Sequence, residues 1–230
     1  MDKSESLTRA QRILKSVSYF SQLDTDAITA VAQAAINRVY DSGQAILVEG
    51  EPSSGLYIVE KGWLKAVKYG LDGREQILQT LGPGEVINAI SVFTDAPNQA
   101  TVCALETVEV WVVQRDLLLR LLDTNPALAR HVVKDLAGRV MHLIRMVEDL
   151  SLRTVEARLA RLLLEQADGA SVQRKRWATQ VELAARLGTV PDVLNRALRK
   201  LSENGIIRVA RHQFQILDME ALKDIAAVED

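Results

Sequence analysis

A seven-residue apolar repeat between residues 129 and 150 is the feature that most limits how this chain can fold. Apolar side chains recur at alternating spacings of four and three, with valine at every a position and leucine at the later d positions. Such a repeat needs one continuous helix, and Pro126 suits its first turn, where a missing N–H costs nothing. The repeat consists of Ala129, Val133, Leu136, Val140, Leu143, Val147 and Leu150.

Valine at a with leucine at d favours a parallel two-stranded coiled coil. We therefore predict that the helix forms a homodimer, with a hinge following at Ser151. A helix packed only on its own domain is the alternative, and apolar side chains beside the seam, such as Val132 and Ile144, would also let it cover that domain. The predicted seam consists of Val133, Leu136, Val140, Leu143, Val147 and Leu150.

Two patterns precede this helix. Residues 8–36 read as helical, with Asp24 or Thr25 as an N-cap. From Val39 to Val113 the pattern becomes short β-rich segments separated by glycines, including AILVEG, GLYIVEKG, WLKAVKYG, EQILQTL and EVWVV. Asp72-Gly73 is a strong hairpin signal. Many short strands with regular turns predict a barrel or sandwich.

After a further amphipathic helix, TVEARLARLLLEQA, and a basic segment read as a loop, SVQRKRWA, two short helices surround a tight turn. Thr179 is a good N-cap with Glu182 three residues later, and Gly188 is placed to end the first helix. The residue before a proline avoids helical geometry, so Pro191 begins a second helix. The following segment, IIRVARHQFQIL, reads as strand, basic tip and strand. This order predicts a winged helix-turn-helix.

Charge supports contact between this region and a polyanion. The chain has a net charge of −2, but residues 153–211 carry 12 basic and 6 acidic side chains. A local excess of Lys and Arg is the usual electrostatic footprint for nucleic acid, although a solvated basic surface is the alternative. Near the start of the second helix, Arg196 could bond O6 and N7 of guanine, and Asp192 could accept from cytosine N4. A surface ion pair between these two is the alternative.

Together these features resemble the cyclic-AMP receptor protein and fumarate–nitrate regulator family of bacterial transcription factors over nearly the whole chain. VEGEPSSGLYIVEKGWLKAV and LGPGEVI resemble its β-roll, 129–150 its dimer helix and 179–217 its winged helix. The resemblance implies an α+β fold with an N-terminal double-stranded β-roll like a cyclic-nucleotide-binding domain, a long dimerisation helix and a C-terminal winged helix-turn-helix. The implied segments are 1–122, 123–151 and 152–230.

The resemblance also implies residue roles. Asp192 takes the place of the family's base-reading glutamate, Arg196 that of its guanine-reading arginine, and Asn195 that of a base-reading serine of the fumarate–nitrate branch. Pro191 stands where the cyclic-AMP branch has another DNA-contacting arginine, so the half-site is expected to be nearer the fumarate–nitrate type, TTGAT-like. Backbone contacts are expected from Thr179, Gln180, Arg199, Lys200, Arg208 and Arg211, with His212 also available.

By the same resemblance, the effector pocket involves Asn88, Ala89, Asn98, Gln99, Leu143 and Ile144. The family's cyclic-nucleotide members use a Gly-Glu-Leu turn, an Arg-Ser pair and a Thr-Ser pair at these places. Burying a phosphate without a cationic partner is costly, which argues against cyclic AMP. Haem is an alternative because FTDAPN resembles a loop of nitric-oxide-responsive members, with His131, His142 and Cys103 as candidates. The effector stays open, and so does the absence of one.

Other classes of function find less support. The sequence shows no nucleophile–base pair, metal-ligand cluster or phosphate-binding loop, so we do not expect an enzyme. It contains no apolar run of about 20 residues, and its N-terminus lacks the apolar core of a signal peptide, which together with a single cysteine predicts a cytoplasmic protein. The resemblance implies RNA polymerase as a partner. A β-roll module that binds a small molecule and acts on a partner protein is the alternative function.

Overall fold

The computed structural model describes residues 3–226, and the chain folds into two compact units. One unit comprises the chain up to Lys68 together with Leu78–His142, and the other comprises Tyr69–Ile77 and the chain from Leu143 onward. The division differs from the three segments predicted from the sequence. Its second boundary lies inside the long helix because the first part of that helix packs on the N-terminal core.

Helix α1 spans Lys3–Ser16 and helix α2 spans Thr25–Ala34. Asp24 caps α2, as predicted, by accepting a hydrogen bond from the amide of Ala27 at 2.7 Å. The two helical pieces predicted within residues 8–36 are displaced from the observed helices, because α1 already begins at Lys3 and both helices end earlier than predicted. The chain forms turns after Ser16, where Phe20 enters the core, and it becomes extended at Ile36.

Between Ile36 and Val113 the chain forms two four-stranded sheets, with strand orders β1-β8-β3-β6 and β2-β7-β4-β5. The strands are β1 Ile36–Tyr40, β2 Ala45–Leu47, β3 Leu56–Lys61, β4 Leu64–Tyr69, β5 Glu75–Leu81, β6 Val86–Ile87, β7 Thr101–Ala104 and β8 Val108–Val113. The five predicted β segments correspond to β2, β3, β4, β5 and β8, whereas β1, β6 and β7 were missed. The predicted hairpin joins β4 to β5, with Gly73 at a φ of +78°.

Strand β3 shows how the two sheets are buried. Side chains of a strand alternate between its faces. Tyr57 and Val59 pack into a cluster shared by both sheets, and Leu56 and Ile58 pack on the opposite face with Trp111 and helices α1 and α2. All four side chains are buried because this strand is covered on both faces.

Three further helices complete the first unit and lead into the second. Helix α3 spans Ala89–Thr94, α4 spans Arg115–Thr124, and α5 spans Pro126–Leu152. Helix α5 begins at the predicted proline. Leu128 and Val132 are buried against the core of the first unit, so this part of α5 covers its own domain.

The second unit contains a three-stranded antiparallel sheet of order β10-β11-β9 and helices on one hydrophobic core. Its elements are α6 Val155–Gln166, β9 Ser171–Gln173, α7 Gln180–Arg186, α8 Pro191–Glu203, β10 Ile207–Val209, β11 Gln213–Ile216 and α9 Met219–Ala226. The sequence predicted a loop at residues 171–173, which instead pair with β11. The predicted α+β fold with a β-roll, long helix and winged helix-turn-helix is confirmed. None of the helices in residues 3–226 is both long and apolar enough to cross a bilayer.

Candidate nucleic-acid interface

The turn between α7 and α8 has the geometry that the sequence predicted. Gly188 has a φ of +63°, in the left-handed region that favours glycine. Val190 is extended, with φ −109° and ψ 156°, and Pro191 occupies the first position of α8. A Cβ atom at Gly188 would also lie 2.8 Å from Oε1 of Gln76 and would clash with the side chain of Leu150. The backbone conformation therefore requires glycine here, whereas the two close atoms are the ends of flexible side chains that can move aside.

Helix α7 begins with the predicted cap. The Thr179 hydroxyl accepts a hydrogen bond from the amide of Glu182 at 3.2 Å. The amide of Thr179 donates to the carbonyl of Trp177 at 2.8 Å. Thr179 and Gln180 are both exposed at this end of the helix, where a phosphate could be bound.

Helix α8 separates apolar from polar side chains. Its inner face buries four apolar residues, and its first two turns expose Asp192 and Arg196. Among residues 3–226 neither of these two forms an ion pair, so the alternative of a mutual salt bridge is not what the structure shows. The inner residues are Leu194, Ala197, Leu198 and Leu201. Val193, which was predicted on this face, is only half-buried.

The remaining predicted contacts on α8 differ in exposure. Arg199 is exposed and Asn195 is half-buried. Lys200 lies 2.7 Å from Glu156 of α6. Because an exposed pair of this kind contributes under about 1 kcal/mol, Lys200 could exchange the carboxylate for a phosphate.

The wing is the hairpin formed by β10 and β11, with residues 210–212 at its tip. Val209 pairs with Phe214, whose ring is buried in the core of the unit. Arg208, Arg211 and His212 are exposed, as a phosphate-binding role requires.

The predicted seam on α5 is largely uncovered. Val133, Val140 and Val147, the three a positions, are 66%, 55% and 64% exposed. Leu136 is the exception at a d position, since it packs partly against the core of the first unit.

The predicted effector residues Asn88 and Asn98 bind the chain between β2 and β3. Asn88, with a φ of +71°, donates to the Ser53 hydroxyl at 2.9 Å and to the Gly55 carbonyl at 3.2 Å. Asn98 is 3% exposed and donates to the Val48 carbonyl at 3.1 Å. Both amide groups therefore hold their own chain at the place where the family resemblance predicts a phosphate.

The other effector candidates are dispersed. Ala89 is buried beside Asn88, whereas Gln99 is exposed and donates to the carbonyl of Pro97. Leu143 and Ile144 belong to the second unit and are 41% and 54% exposed.

The three candidate haem ligands are dispersed as well. His142 is exposed with Nε2 3.0 Å from the Leu78 carbonyl, while His131 and Cys103 are half-buried. Within residues 3–226, no group of three His, Cys, Asp or Glu side chains could hold a metal ion.

Comparison with protein families matches both units of the chain. Residues 37–125 match the cyclic nucleotide-binding domain, and residues 157–225 match the Crp-like helix-turn-helix domain. A CRP-like cAMP-activated global transcriptional regulator of Mycobacterium tuberculosis is 27% identical over 216 residues, which cover 91% of this chain and 96% of that protein.

The chain belongs to the Crp/Fnr family.

Two further proteins extend the comparison. The cyclic AMP receptor protein of Thermus thermophilus is 29% identical over 192 residues, 82% of this chain and 87% of that protein. FixK2 from Bradyrhizobium japonicum has the same fold, with a TM-score of 0.74 and 23% identity, covering 85% of this chain and 99% of that one. The family resemblance predicted from the sequence is confirmed. The chain is thus assigned to the Crp-family transcription regulators with a helix-turn-helix DNA-binding domain.

Sequence reasoning missed a polar network on α5 of this Crp/Fnr protein. Arg139 donates to Asp135 at 2.7 Å and to the Val86 carbonyl at 2.7 Å, and the Tyr19 hydroxyl donates to Asp135 at 2.6 Å. Burial of the Tyr19 hydroxyl, and to a smaller extent its hydrogen bond to Asp135, raise the pKa of Tyr19. A cavity of about 380 Å³ opens beside Arg139 and His142. The i,i+4 spacing of Asp135 and Arg139 could have indicated their ion pair. It could not have indicated the contacts with Tyr19 and Val86, which lie far away in sequence.

Proposed function

We propose that this Crp/Fnr protein is a homodimeric regulator that binds a near-palindromic DNA site through two copies of α8. The observation that carries the proposal is the exposure of Asp192 and Arg196 on the first two turns of α8, with the apolar residues of the helix buried behind them. A recognition helix presents its N-terminal residues to base edges in the major groove. Arg196 reads guanine, and Asp192 accepts a hydrogen bond from cytosine.

The second copy joins through α5. Three valines at a positions are each more than half exposed, and exposing this apolar surface to water is unfavourable. The valines become covered when the seams of two α5 helices pack together. A symmetric dimer places two recognition helices about one turn of DNA apart, which requires a site with matching half-sites. Leu136, which also packs on its own core, limits how far the seam extends toward Pro126.

The half-site is expected to be nearer the fumarate–nitrate type. Pro191 has no side-chain donor and therefore cannot supply the further arginine contact. Asn195, three residues after Asp192 on α8, helps to read a TTGAT-like sequence. Arg199, Lys200, Arg208, Arg211, Thr179 and Gln180 bind phosphates.

Regulation depends on an effector other than cyclic AMP, or on none. The relatives from M. tuberculosis and T. thermophilus are named for cAMP. In this chain, however, Asn98 offers an amide where the family's cyclic-nucleotide members have an arginine, and the side-chain amides of Asn88 and Asn98 both donate to residues 48–55. A buried anion without a charged partner is strongly disfavoured. Haem stays a second effector candidate.

The proposed protein partner is RNA polymerase, and the proposed location is the cytoplasm.

The first test is selection from a random double-stranded DNA pool with the purified protein. We expect a palindrome with a G·C pair in each half-site. The Arg196→Ala variant, selected in parallel, is expected to lose the preference at that G·C pair. A pool that shows no enrichment, with or without added effectors, would overturn the proposal.

The effector is tested separately by titrating cyclic AMP into the protein in a calorimeter. We expect no saturable heat. Saturable binding, or a cyclic-AMP-dependent gain in DNA affinity, would refute the effector part while leaving DNA recognition intact.

A further inference from the structure

A basic loop lies between β9 and α7, outside the residues predicted to contact DNA. It comprises Arg174, Lys175 and Arg176, and we refer to residues 174–176 as the basic loop. Lys175 and Arg176 are exposed, while Arg174 is half-buried. No acidic residue occurs in the sequence from 171 to 181. The loop therefore concentrates positive charge in a stretch of sequence that carries no negative charge.

Arg174 is half-buried and fixes the loop. Its guanidinium lies 5.1 Å from the centre of the Phe214 ring, and Nη2 donates to the Ala178 carbonyl at 3.2 Å. The Phe214 side chain is buried in the core of the unit. Arg174 thus ties the loop to the wing strand β11 on one side and to the start of α7 on the other, while the next two residues stay exposed.

Backbone hydrogen bonds place the basic loop next to the wing tip. Strands β9 and β11 are antiparallel, with Gln173 opposite Gln213, so the end of β9 lies beside the start of β11. The amide of Arg174 donates to the His212 carbonyl at 2.9 Å. Arg211 and the basic loop consequently share one end of the three-stranded sheet. Residues 204–217, which include the whole wing, also contain no acidic residue.

The basic loop is also joined to the N-terminus of α7. The amide of Ala178 donates to the Lys175 carbonyl at 3.0 Å, and the amide of Thr179 donates to the Trp177 carbonyl at 2.8 Å. The first helix of a helix-turn-helix crosses the DNA backbone while the second enters the groove. The loop thus connects two elements that both face phosphates.

The order of the sheet places the basic loop to one side of the recognition helix. Strand β10 contacts α8, while β9 lies beyond β11 at the opposite edge. Neighbouring strands are about 4.8 Å apart, so β9 is about 10 Å farther out than β10. A contact made from this edge is therefore displaced from the contacts that α8 makes.

We infer that Lys175 and Arg176, together with Arg211, bind the DNA backbone outside each half-site, independently of base sequence. This inference rests on the proposed function, since it requires α8 to be docked on DNA. It extends the length of DNA that each protomer covers without adding base specificity. Affinity would then depend on DNA length and on salt, because each phosphate contact releases condensed counterions.

The test compares two duplexes that carry the palindrome enriched in the selection. One ends at the outermost enriched base pair, and the other continues for about 8 base pairs, roughly 27 Å at 3.4 Å per base pair, at each end. We expect the wild-type protein to bind the longer duplex more tightly. The Lys175→Gln/Arg176→Gln variant is expected to lose this advantage, by about fivefold for each phosphate that it no longer neutralises at physiological salt, with a salt slope shallower by about 0.9 per phosphate.

The matched control is Arg120→Gln/Lys134→Gln, which removes two exposed positive charges from the first unit. It is expected to retain the wild-type advantage for the longer duplex. Thermal unfolding of each variant checks that the fold is intact. Two unrelated flanking sequences should give the same result, because backbone contacts carry no sequence information.

Two results would overturn the inference. An equal loss on both duplexes would place the binding residues inside the half-site, and unchanged affinity of the variant for the longer duplex would show that the basic loop does not bind DNA. Failure of the proposed function looks different: the wild-type protein would then not distinguish the enriched palindrome from a scrambled duplex, and the inference would be refuted along with it.

Discussion

The recognition helix α8 and the β-roll segment that contains Asn88 and Asn98 use polar side chains in opposite ways. On α8, Asp192 and Arg196 point outward and are available to another molecule. In the β-roll, Asn88 and Asn98 turn inward and bind residues 48–55. A polar residue at a family binding position therefore indicates a ligand only when its hydrogen bonds are not already made within the chain.

The largest effect is expected on the buried side of α8. Leu194 is fully buried, and Leu194→Ala should destabilise the protein by about 2–5 kcal/mol because it leaves a cavity in the core of the second unit. Chemical denaturation measures the loss. Val193→Ala, next to it and only half-buried, is the control and should cost clearly less. Equal losses would mean that the two faces of α8 are not separated as the structure shows.

The exposed side of α8 should affect DNA binding and leave stability unchanged. Arg196→Ala is expected to lose roughly 1–3 kcal/mol of discrimination at one base pair, with the unfolding midpoint unchanged. Competition binding with base-substituted duplexes measures it. Arg208→Ala is the control: it should weaken binding to all sequences and flatten the salt dependence. A uniform loss in Arg196→Ala would assign this arginine to the backbone instead.

Changing the inward-facing amide of Asn98 should affect stability and leave DNA binding unchanged. Asn98→Ala removes the hydrogen bond from a buried side-chain amide to the Val48 carbonyl, which still accepts from the amide of Glu51, so the loss of stability should be about 1 kcal/mol. The buried Oδ1 atom of Asn98 has no partner of its own among the described residues, and its removal offsets part of this loss. DNA affinity, measured below the unfolding transition, should stay the same. Gln99→Ala, which changes an exposed neighbour, should alter stability by less than about 0.5 kcal/mol. A loss of effector response with intact stability would instead make Asn98 a ligand-binding residue.

The smallest effect is expected for Asn88→Gly. The substitution loses the bonds to Ser53 and Gly55 but relieves a left-handed backbone, so the two contributions should nearly cancel, to within about 1 kcal/mol. Asn88→Ala, which loses the bonds and keeps the strain, should be less stable than Asn88→Gly. The reverse order, seen in denaturation, would mean that the amide of Asn88 is not what holds residues 53–55.

Much of the DNA-binding region could be predicted from local sequence. Pro191 marked the start of α8, Gly188 the end of α7 and Thr179 its cap, and each of these acts within three or four residues of itself. The seam of α5 followed from its repeat in the same way. By contrast, β9 was read as a loop and β6 and β7 were missed, because strands of two to four residues are too short to show a period of two. They exist because distant strands pair with them, as Gln213 does with Gln173.

Neighbouring residues alone were therefore enough to set where the helices of the winged helix-turn-helix begin and end, which face of α8 is apolar, and that α5 carries a heptad repeat of apolar residues. These features depend on backbone preferences and periodicities that a few residues encode. The folded chain was needed to show that Asn98 is buried, that its amide binds Val48 fifty positions away, and that the basic loop lies beside the wing tip. Such contacts depend on which distant segments meet in the folded chain. A hydrogen bond between distant residues, or the burial of one side chain, produces no periodic pattern in the sequence.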